Sequence, residues 1–283
     1  MSKIVIWGGE GFIGTALRRQ LARQDVEYTA PTYGEIDLSD SHDMSEVEKE
    51  IDNGDTVIMI AAHTAERGQG YVLTSWNIQM AQNLIDAIEG KDIPHCVYLS
   101  SDSVYGPIDD IMDETTPLRP TSLYGMMHMM REQMFRERFG DKLTILRPCA
   151  VYGPGDTHNA YGINQFVRSA KKEGIIEIFG EGEEMRSNIH VDDLAAIIAK
   201  SALDKVQGIF NANCGAAYTF MEIAKVVQEN VGSKDWSHPV IIESKPRTQP
   251  ITHRHANNSR LQEAFHAPRL AYAGIAQMCH ECK

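Results

Sequence analysis

The opening of the chain constrains its fold more than any other feature. A β-branched run over residues 3–7 leads directly into Gly8-Gly9-Glu10-Gly11-Phe12-Ile13-Gly14. A helical pattern over 12–24 follows, with Phe12, Ile13, Ala16, Leu17 and Leu21 on one stripe. Gly8, Gly11 and Gly14 form a G-x-x-G-x-x-G pattern. One glycine lets the chain turn sharply off a strand, one lets backbone approach a pyrophosphate, and one lets helix and strand pack closely. Glycine spacing alone is weak evidence. The strand–turn–helix setting gives it meaning.

The rest of the chain repeats that unit. Strands are expected over 26–29, 56–62, 96–99 and 143–146, and helices over 43–51, 76–88 and 123–139. The run at 56–62 is nearly all apolar, as in a strand covered on both faces. Such alternation predicts a doubly wound, parallel α/β sheet. After about residue 147 the rhythm loosens around Pro148, Gly153, Pro154 and Gly155, with helical units over 192–203 and 220–229. Residues 1–150 are read as a dinucleotide-binding domain. Residues 151–283 are read mainly as a substrate lobe, with some elements returning to the sheet.

Charge narrows the partners. The chain has 283 residues, 27 Lys plus Arg and 39 Asp plus Glu, a net charge of −12. That balance disfavours nucleic acid and anionic membrane surfaces. No stretch has the ~20 apolar residues of a membrane helix, and the start lacks a signal-peptide pattern. The 5 cysteines are scattered and odd in number, as expected of free thiols in the cytoplasm.

Several motifs together resemble the extended branch of the short-chain dehydrogenase/reductase superfamily, the NAD(P)-dependent sugar epimerases and dehydratases. Leu99-Ser100-Ser101-Asp102-Ser103-Val104-Tyr105-Gly106 is similar to the family's active-site strand end. Arg147-Pro148 with Val151-Tyr152-Gly153-Pro154-Gly155 resembles its "RP-x-x-VYGPG" segment. Arg186-Ser187-Asn188-Ile189-His190-Val191-Asp192-Asp193 resembles its "R-x-x-I-H-V-D-D" segment. The resemblance implies a Rossmann-like domain with a smaller C-terminal lobe, and a nucleotide-diphosphate sugar as substrate. It assigns cofactor contacts to Gly8, Gly11, Phe12, Ile13, Gly14, Asp37, Leu38, Ala61, Ala62 and Asn77. It also implies a homodimer paired through the helices over 76–88 and 123–139.

The family's acid/base is a tyrosine with a lysine four residues later. Tyr124 matches the tyrosine and Ser101 the serine that shares its substrate oxygen. A phenol titrates near ~10, so work near neutrality needs a shift of about 3 pH units, or about 4 kcal/mol. The family's lysine and nicotinamide supply it. Here His128 stands at the lysine position, where it would contact cofactor and Tyr124 alike. An imidazole is mostly neutral at pH 7 unless a phenolate raises it in a coupled pair. Three arrangements fit: histidine in the lysine role, a different group supplying the charge, or dinucleotide binding without turnover.

The dehydratases of the family carry an Asp-Glu pair after the active-site serine. This chain has Asp102 but then Ser103, which argues against 4,6-dehydration and for hydride transfer at C4 or a neighbouring carbon. Asp102 reads equally as a helper acid or a turn residue. Glu10 in the glycine loop, with no basic residue over 30–35, favours NAD over NADP. Arg186 and Arg254 are the candidate phosphate clamps, and Asn164 a candidate pocket residue. Met127, Met130 and Met134 share a helical stripe and are expected in the core. Cys279-His280-Glu281-Cys282 lacks the partners of a closed zinc site, so no metal is assigned.

Overall fold

The computed structural model describes residues 2–63, 70–108, 110–159, 161–231 and 239–281. Strand β1 (Ile4–Trp7) is followed by α1 (Phe12–Arg23), β2 (Tyr28–Thr29), α2 (Met44–Glu50), β3 (Thr56–Met59) and α3 (Tyr71–Ala87). Then come β4 (His95–Leu99), α4 (Leu123–Phe139), β5 (Leu143–Pro148) and β6 (Ala150–Tyr152). The later elements are α5 (Ile163–Glu173), β7 (Ile175–Phe179), β8 (Met185–His190), α6 (Val191–Leu203) and β9 (Gly208–Ala212). They end with β10 (Ala217–Thr219), α7 (Phe220–Val231), β11 (Ile241–Lys245), α8 (Ser259–Ala264) and α9 (Ala271–Glu281).

The expected doubly wound sheet is present. Its order is β2-β1-β3-β4-β5-β9, and every pairing is parallel. Strand order reverses between β1 and β3, and such a reversal opens a crevice at the strands' carboxyl ends. Strands β1, β3, β4 and β5 are buried throughout, because helices cover both faces. One face packs Leu17 and Leu21 of α1 against Leu194 and Ile198 of α6. The other packs Val47 of α2, Leu84 of α3 and Phe135 of α4. A third core joins Phe166 of α5, Ile223 of α7 and Ile275 of α9. Two small sheets, β10-β8-β6 and β11-β7, complete the C-terminal part.

Several boundaries differ from expectation for identifiable reasons. Strand β3 ends at Met59 because the amides of both Ile60 and Ala61 donate to Trp7 O (2.9 and 2.8 Å), which breaks the ladder register. Helix α3 starts at Tyr71, five residues early. Its first turns carry exposed Tyr71 and Val72 and so show no inward stripe. Thr74 and Ser75 bond back to the carbonyls of Gly70 and Tyr71.

The expected methionine stripe on α4 is corrected. Met127 is buried and Met134 packs on the core, but Met130 is 53% exposed. The buried face instead runs through His128, Arg131, Glu132, Phe135 and Phe139. Polar residues hold the centre of that face, so apolar spacing misjudges the helix's rotation.

Among the described residues, Cys96, Cys149 and Cys214 are free thiols and buried, and Cys279 is buried in the C-terminal core. Cys282 lies outside the described residues. No described helix is long and apolar enough to cross a membrane.

Candidate active site

The glycine loop sits at the reversal point, and its glycines answer to different constraints. Gly8 has φ +96°, and a Cβ there would lie 2.6 Å from Ala61 N. A Cβ on Gly14 would lie 2.1 Å from Gly8 O, so helix and loop meet with no room for a side chain. Gly9 is also required: its Cβ would press on Ala30 Cβ at 2.7 Å. Gly11 is different, since its Cβ would meet only Gly8 O, at an ordinary 3.5 Å. It caps α1 with no side-chain hydrogen bond and no acidic residue in the first turn. The amides of the first turn, including those of Phe12 and Ile13, therefore remain available to an anion. A pyrophosphate fits this cradle. Glu10 closes one side, with Oε2 accepting from Tyr33 N at 3.1 Å.

The other residues assigned to the cofactor lie after β2 (Asp37, Leu38), after β3 (Ala61, Ala62) and on α3 (Asn77). Asp37 spends one carboxylate oxygen on the amide and hydroxyl of Ser39 (2.8 and 2.7 Å). Leu38 is buried in the core. Ala61 and Ala62 follow β3 and are half-buried. Asn77 is fully buried and acts through the backbone. Its Oδ1 accepts from His63 N at 2.8 Å, and its amide hydrogens go to His63 O and Leu73 O, both at 3.0 Å. It braces the segment beyond Ala62 and has no hydrogen left for a ligand.

The candidate catalytic groups converge from two elements. Ser101 caps a single helical turn over 102–104, with Oγ accepting from Ser103 N at 3.1 Å. Tyr124 lies in the first turn of α4, which Ser122 caps through Gly125 N at 3.1 Å. Gly125 is required there, since a Cβ would lie 2.4 Å from Ser103 O. The tyrosine is 43% exposed as a whole. Desolvation pushes the phenol's pKa up, and the nearby Asp102 carboxylate adds to this. The Arg131 charge and a hydrogen bond with Ser101 oppose that rise.

His128 does not behave as a substitute cation. It is buried on the inner face of α4 and meets the Tyr124 ring in a T-shaped contact at 4.6 Å. Nδ1 pairs with Tyr98 OH at 2.7 Å, and Nε2 is buried with no partner among the described residues. Burial, and then the Arg131 charge, pull its pKa well below the usual 6.5. The imidazole is therefore neutral. The expected phenolate-raised Tyr124–His128 pair is not seen: the two rings touch edge to face, no hydrogen bond joins them among the described residues, and burial pulls the imidazole down rather than up.

Behind these groups lies a buried ionic network that sequence reading missed. Glu132 Oε1 accepts from Ser100 Oγ (2.7 Å) and Arg147 Nε (2.9 Å), and Oε2 from Arg147 Nη2 (2.7 Å). Arg147 Nη1 donates to Tyr105 OH at 2.8 Å, and Tyr105 donates to Asn211 at 2.7 Å. The network ties α4 to β4 and β5, and so fixes Tyr124 relative to Ser101.

The substrate candidates lie across from Tyr124. Arg186 and Arg254 are bridged side by side in neighbouring backbone segments. Arg254 Nη1 lies 3.5 Å from Asp102 Oδ1. Arg186 contacts Glu184 and Thr252 O and packs over Phe220 at 5.6 Å. Arg247 joins them through the same Glu184, at 3.1 Å. Burial pushes the Asp102 carboxyl up, against the pull of Arg254 and Arg186. Asp102 is thus both the first residue of its turn and an ion-pair partner. Asn164 is buried at the start of α5, where Oδ1 accepts from Gly153 N at 3.1 Å and Nδ2 faces Val151 O at 3.5 Å. It pins the segment after β6.

His190 caps α6 through Asp192 N at 3.2 Å. Asp192 and Asp193, in the first turn of α6, pair with Arg19 (3.1 Å) and Arg269 (2.9 Å). The histidine ring already occupies the capping position.

Residues 4–212 match the model of the NAD dependent epimerase/dehydratase family. The chain belongs to that family. It is 26% identical to the ADP-L-glycero-D-manno-heptose-6-epimerase of Cupriavidus pinatubonensis, covering 98% of this chain and 97% of that one. It is also 26% identical to the low-salt glycan biosynthesis protein Agl12 of Haloferax volcanii, covering 82% and 83%. The fold is shared with the NAD complex of a Thermus thermophilus UDP-glucose 4-epimerase (TM-score 0.83, 20% identity, 98% of each chain). It is likewise shared with a Methanobrevibacter ruminantium UDP-N-acetylglucosamine 4-epimerase (TM-score 0.84, 22% identity, 99% and 97%).

Proposed function

We propose that the chain binds NAD along the glycine loop and catalyses hydride transfer at one carbon of a nucleotide-diphosphate sugar, as an epimerase or oxidoreductase. The observation that carries this reading is convergence. Ser101 and the Tyr124 phenol meet beyond the carboxyl end of β4, on the same edge of the sheet as the glycine loop after β1, and the Arg186–Arg254 pair stands beyond Asp102. Bound NAD would supply the hydride acceptor and donor.

The chain's own residues supply the rest. Tyr124 takes the proton of a sugar hydroxyl as a ketone forms, and returns it on reduction. Ser101 donates to the same oxygen and steadies its developing charge. Arg186 and Arg254 hold the diphosphate, since planar guanidinium groups match its paired oxygens. A second acid is absent at Ser103, whose Oγ accepts from Ser101 Oγ at 3.0 Å, which favours one-carbon chemistry over 4,6-dehydration. Glu10 at the loop edge favours NAD over NADP by repelling a 2′-phosphate.

The test is product analysis with UDP-, dTDP-, ADP- and GDP-sugars. Inversion or oxidation at one carbon is expected, and its loss in Tyr124→Phe. A 4-keto-6-deoxy product would reverse the choice against dehydration. Tight NAD binding with no turnover of any sugar would mark a regulatory binding protein.

We also read the protein as a homodimer paired through α3 and α4. The reading is supported by exposed Tyr71, Val72 and Trp76 on α3, and Met126 and Met130 on α4. The free, buried thiols of Cys96, Cys149 and Cys214 support a reducing compartment, read as the cytoplasm.

A further inference from the structure

Arg131 lies one further turn along α4 from His128, and its surroundings are unusual for an arginine. It is 1% exposed, and no carboxylate pairs with it among the described residues. Glu132, its neighbour, is paired with Arg147 and Arg136 instead. Nη2 donates to Ala61 O at 3.0 Å, Nη1 faces Met127 Sδ at 3.9 Å, and Nε has no partner. The guanidinium also lies 5.2 Å from the centre of the Tyr98 ring. Burying an uncompensated charge is costly, and an arginine keeps its proton even there.

Its position has a direction. Residues 124, 128 and 131 fall at i, i+4 and i+7 and share one helix face. Helical side chains lean toward the N-terminus, so Arg131 reaches back toward Tyr124. The contact with Met127, four residues earlier, fits that lean.

We propose that Arg131 supplies the permanent positive charge facing Tyr124, in place of a charged residue at position 128. It is a positioning residue, acting through the phenol and through the Ala61 carbonyl at the end of β3. The inference rests on the reading of Tyr124 as the acid/base. The groups that face the phenol are Arg131 and His128 from α4, Ser101 and Asp102 from the turn after β4, and Tyr98 from β4. Asp102 is in turn faced by Arg254 and Arg186. Burial and Asp102 oppose ionisation of Tyr124, while Ser101 and Arg131 favour it. Of these groups, only Arg131 does so by a fixed charge. The pairing also accounts for His128: the same charge helps hold the imidazole neutral as the acceptor or donor of Tyr98.

The test reads the phenol itself. Tyrosinate ultraviolet difference spectra, each protein against its own Tyr124→Phe counterpart, are recorded across pH on NAD-loaded protein. The pH profile of turnover is measured in parallel. Seven residues of helix rise put charge and phenol about 10 Å apart, and at an effective dielectric of about 20 that is about 1.7 kcal/mol. Arg131→Gln then raises the phenol midpoint by about 1–2 pH units, a ~10- to 100-fold loss of tyrosinate at fixed pH.

Arg131→Lys keeps most of the effect, and His128→Gln shifts the midpoint far less than Arg131→Gln. The double variant Arg131→Gln with His128→Lys, which returns the charge one turn earlier, recovers the midpoint. An unmoved midpoint in Arg131→Gln overturns the proposal. So does a shift of more than about 1 pH unit in His128→Gln, which decides the matter by itself if Arg131→Gln does not fold. The acid/base reading fails separately, by undiminished turnover in Tyr124→Phe, whatever the Arg131 variants do.

Discussion

The Glu132–Arg147 pair offers the sharpest stability prediction. Both side chains are 1% exposed. Glu132 accepts two bonds from Arg147, at 2.9 and 2.7 Å, and one from Ser100, at 2.7 Å. Glu132→Gln keeps the shape but removes the charge and turns an amide N–H against existing donors. The Arg147 guanidinium is left buried and uncompensated, an outcome that costs about 3–5 kcal/mol. At about 2.1 cal/mol/K per residue, 283 residues give an unfolding entropy of about 0.6 kcal/mol/K, so Tm falls by roughly 5–8 °C. Denaturant unfolding of native and variant protein reads the free energy, and calorimetry reads Tm. Turnover should fall as well, because Ser100 adjoins Ser101 and α4 carries Tyr124. Glu132→Leu combined with Arg147→Met, which leaves no charge behind, should be less destabilised than Glu132→Gln. A cost below about 1 kcal/mol for Glu132→Gln, or a double variant worse than the single, would refute this reasoning.

Three further outcomes follow from the same structure. His95 is buried, paired with Thr144 at 2.8 Å, and burial takes its pKa from 6.5 down to about 4. Its neutral form is native, so its contribution is complete above pH 6.5 and is lost as pH falls toward 4, by up to about 1.4 kcal/mol per pH unit; in pH-dependent unfolding, His95→Gln should flatten that slope. Glu10→Ala should raise the NADP-to-NAD affinity ratio about 5- to 10-fold in calorimetric titration, since a carboxylate about 6 Å from a 2′-phosphate repels it by about 1 kcal/mol in water. Met130→Glu should shift the protein toward monomer in light scattering, with NAD affinity retained.

The parallel sheet was legible because its strands are short, nearly all-apolar runs separated by helices of clear period. The glycine loop was legible because a strand end, a sharp turn and a helix start each impose a separate demand. Residues whose work is done through another group were not legible. Asn77 and Asn164 stand where ligand contacts were expected, yet both spend their amides on backbone. His128 stood in the lysine position, but sequence spacing carries no information about the Tyr98 hydroxyl that meets it from β4. Arg131 and Glu132 carry no sequence signal of burial, since arginine and glutamate are usually exposed. Their burial depends on partners at residues 61 and 147 that only the tertiary fold supplies. The same polar residues rotated the inner face of α4 away from the methionine stripe and left Met130 outside.

The central claim is that Tyr124 moves the proton while hydride passes between a nucleotide sugar and NAD held on the glycine loop. It is tested most directly by single-turnover mixing of NAD-loaded protein with a panel of nucleoside-diphosphate sugars, following absorbance of the reduced nicotinamide. Native protein should reduce its cofactor with at least one sugar, and Tyr124→Phe should do so ~100- to 10,000-fold more slowly with NAD affinity intact. Equal rates in the two proteins, or no reduction by any sugar in fully NAD-loaded native protein, would contradict the account.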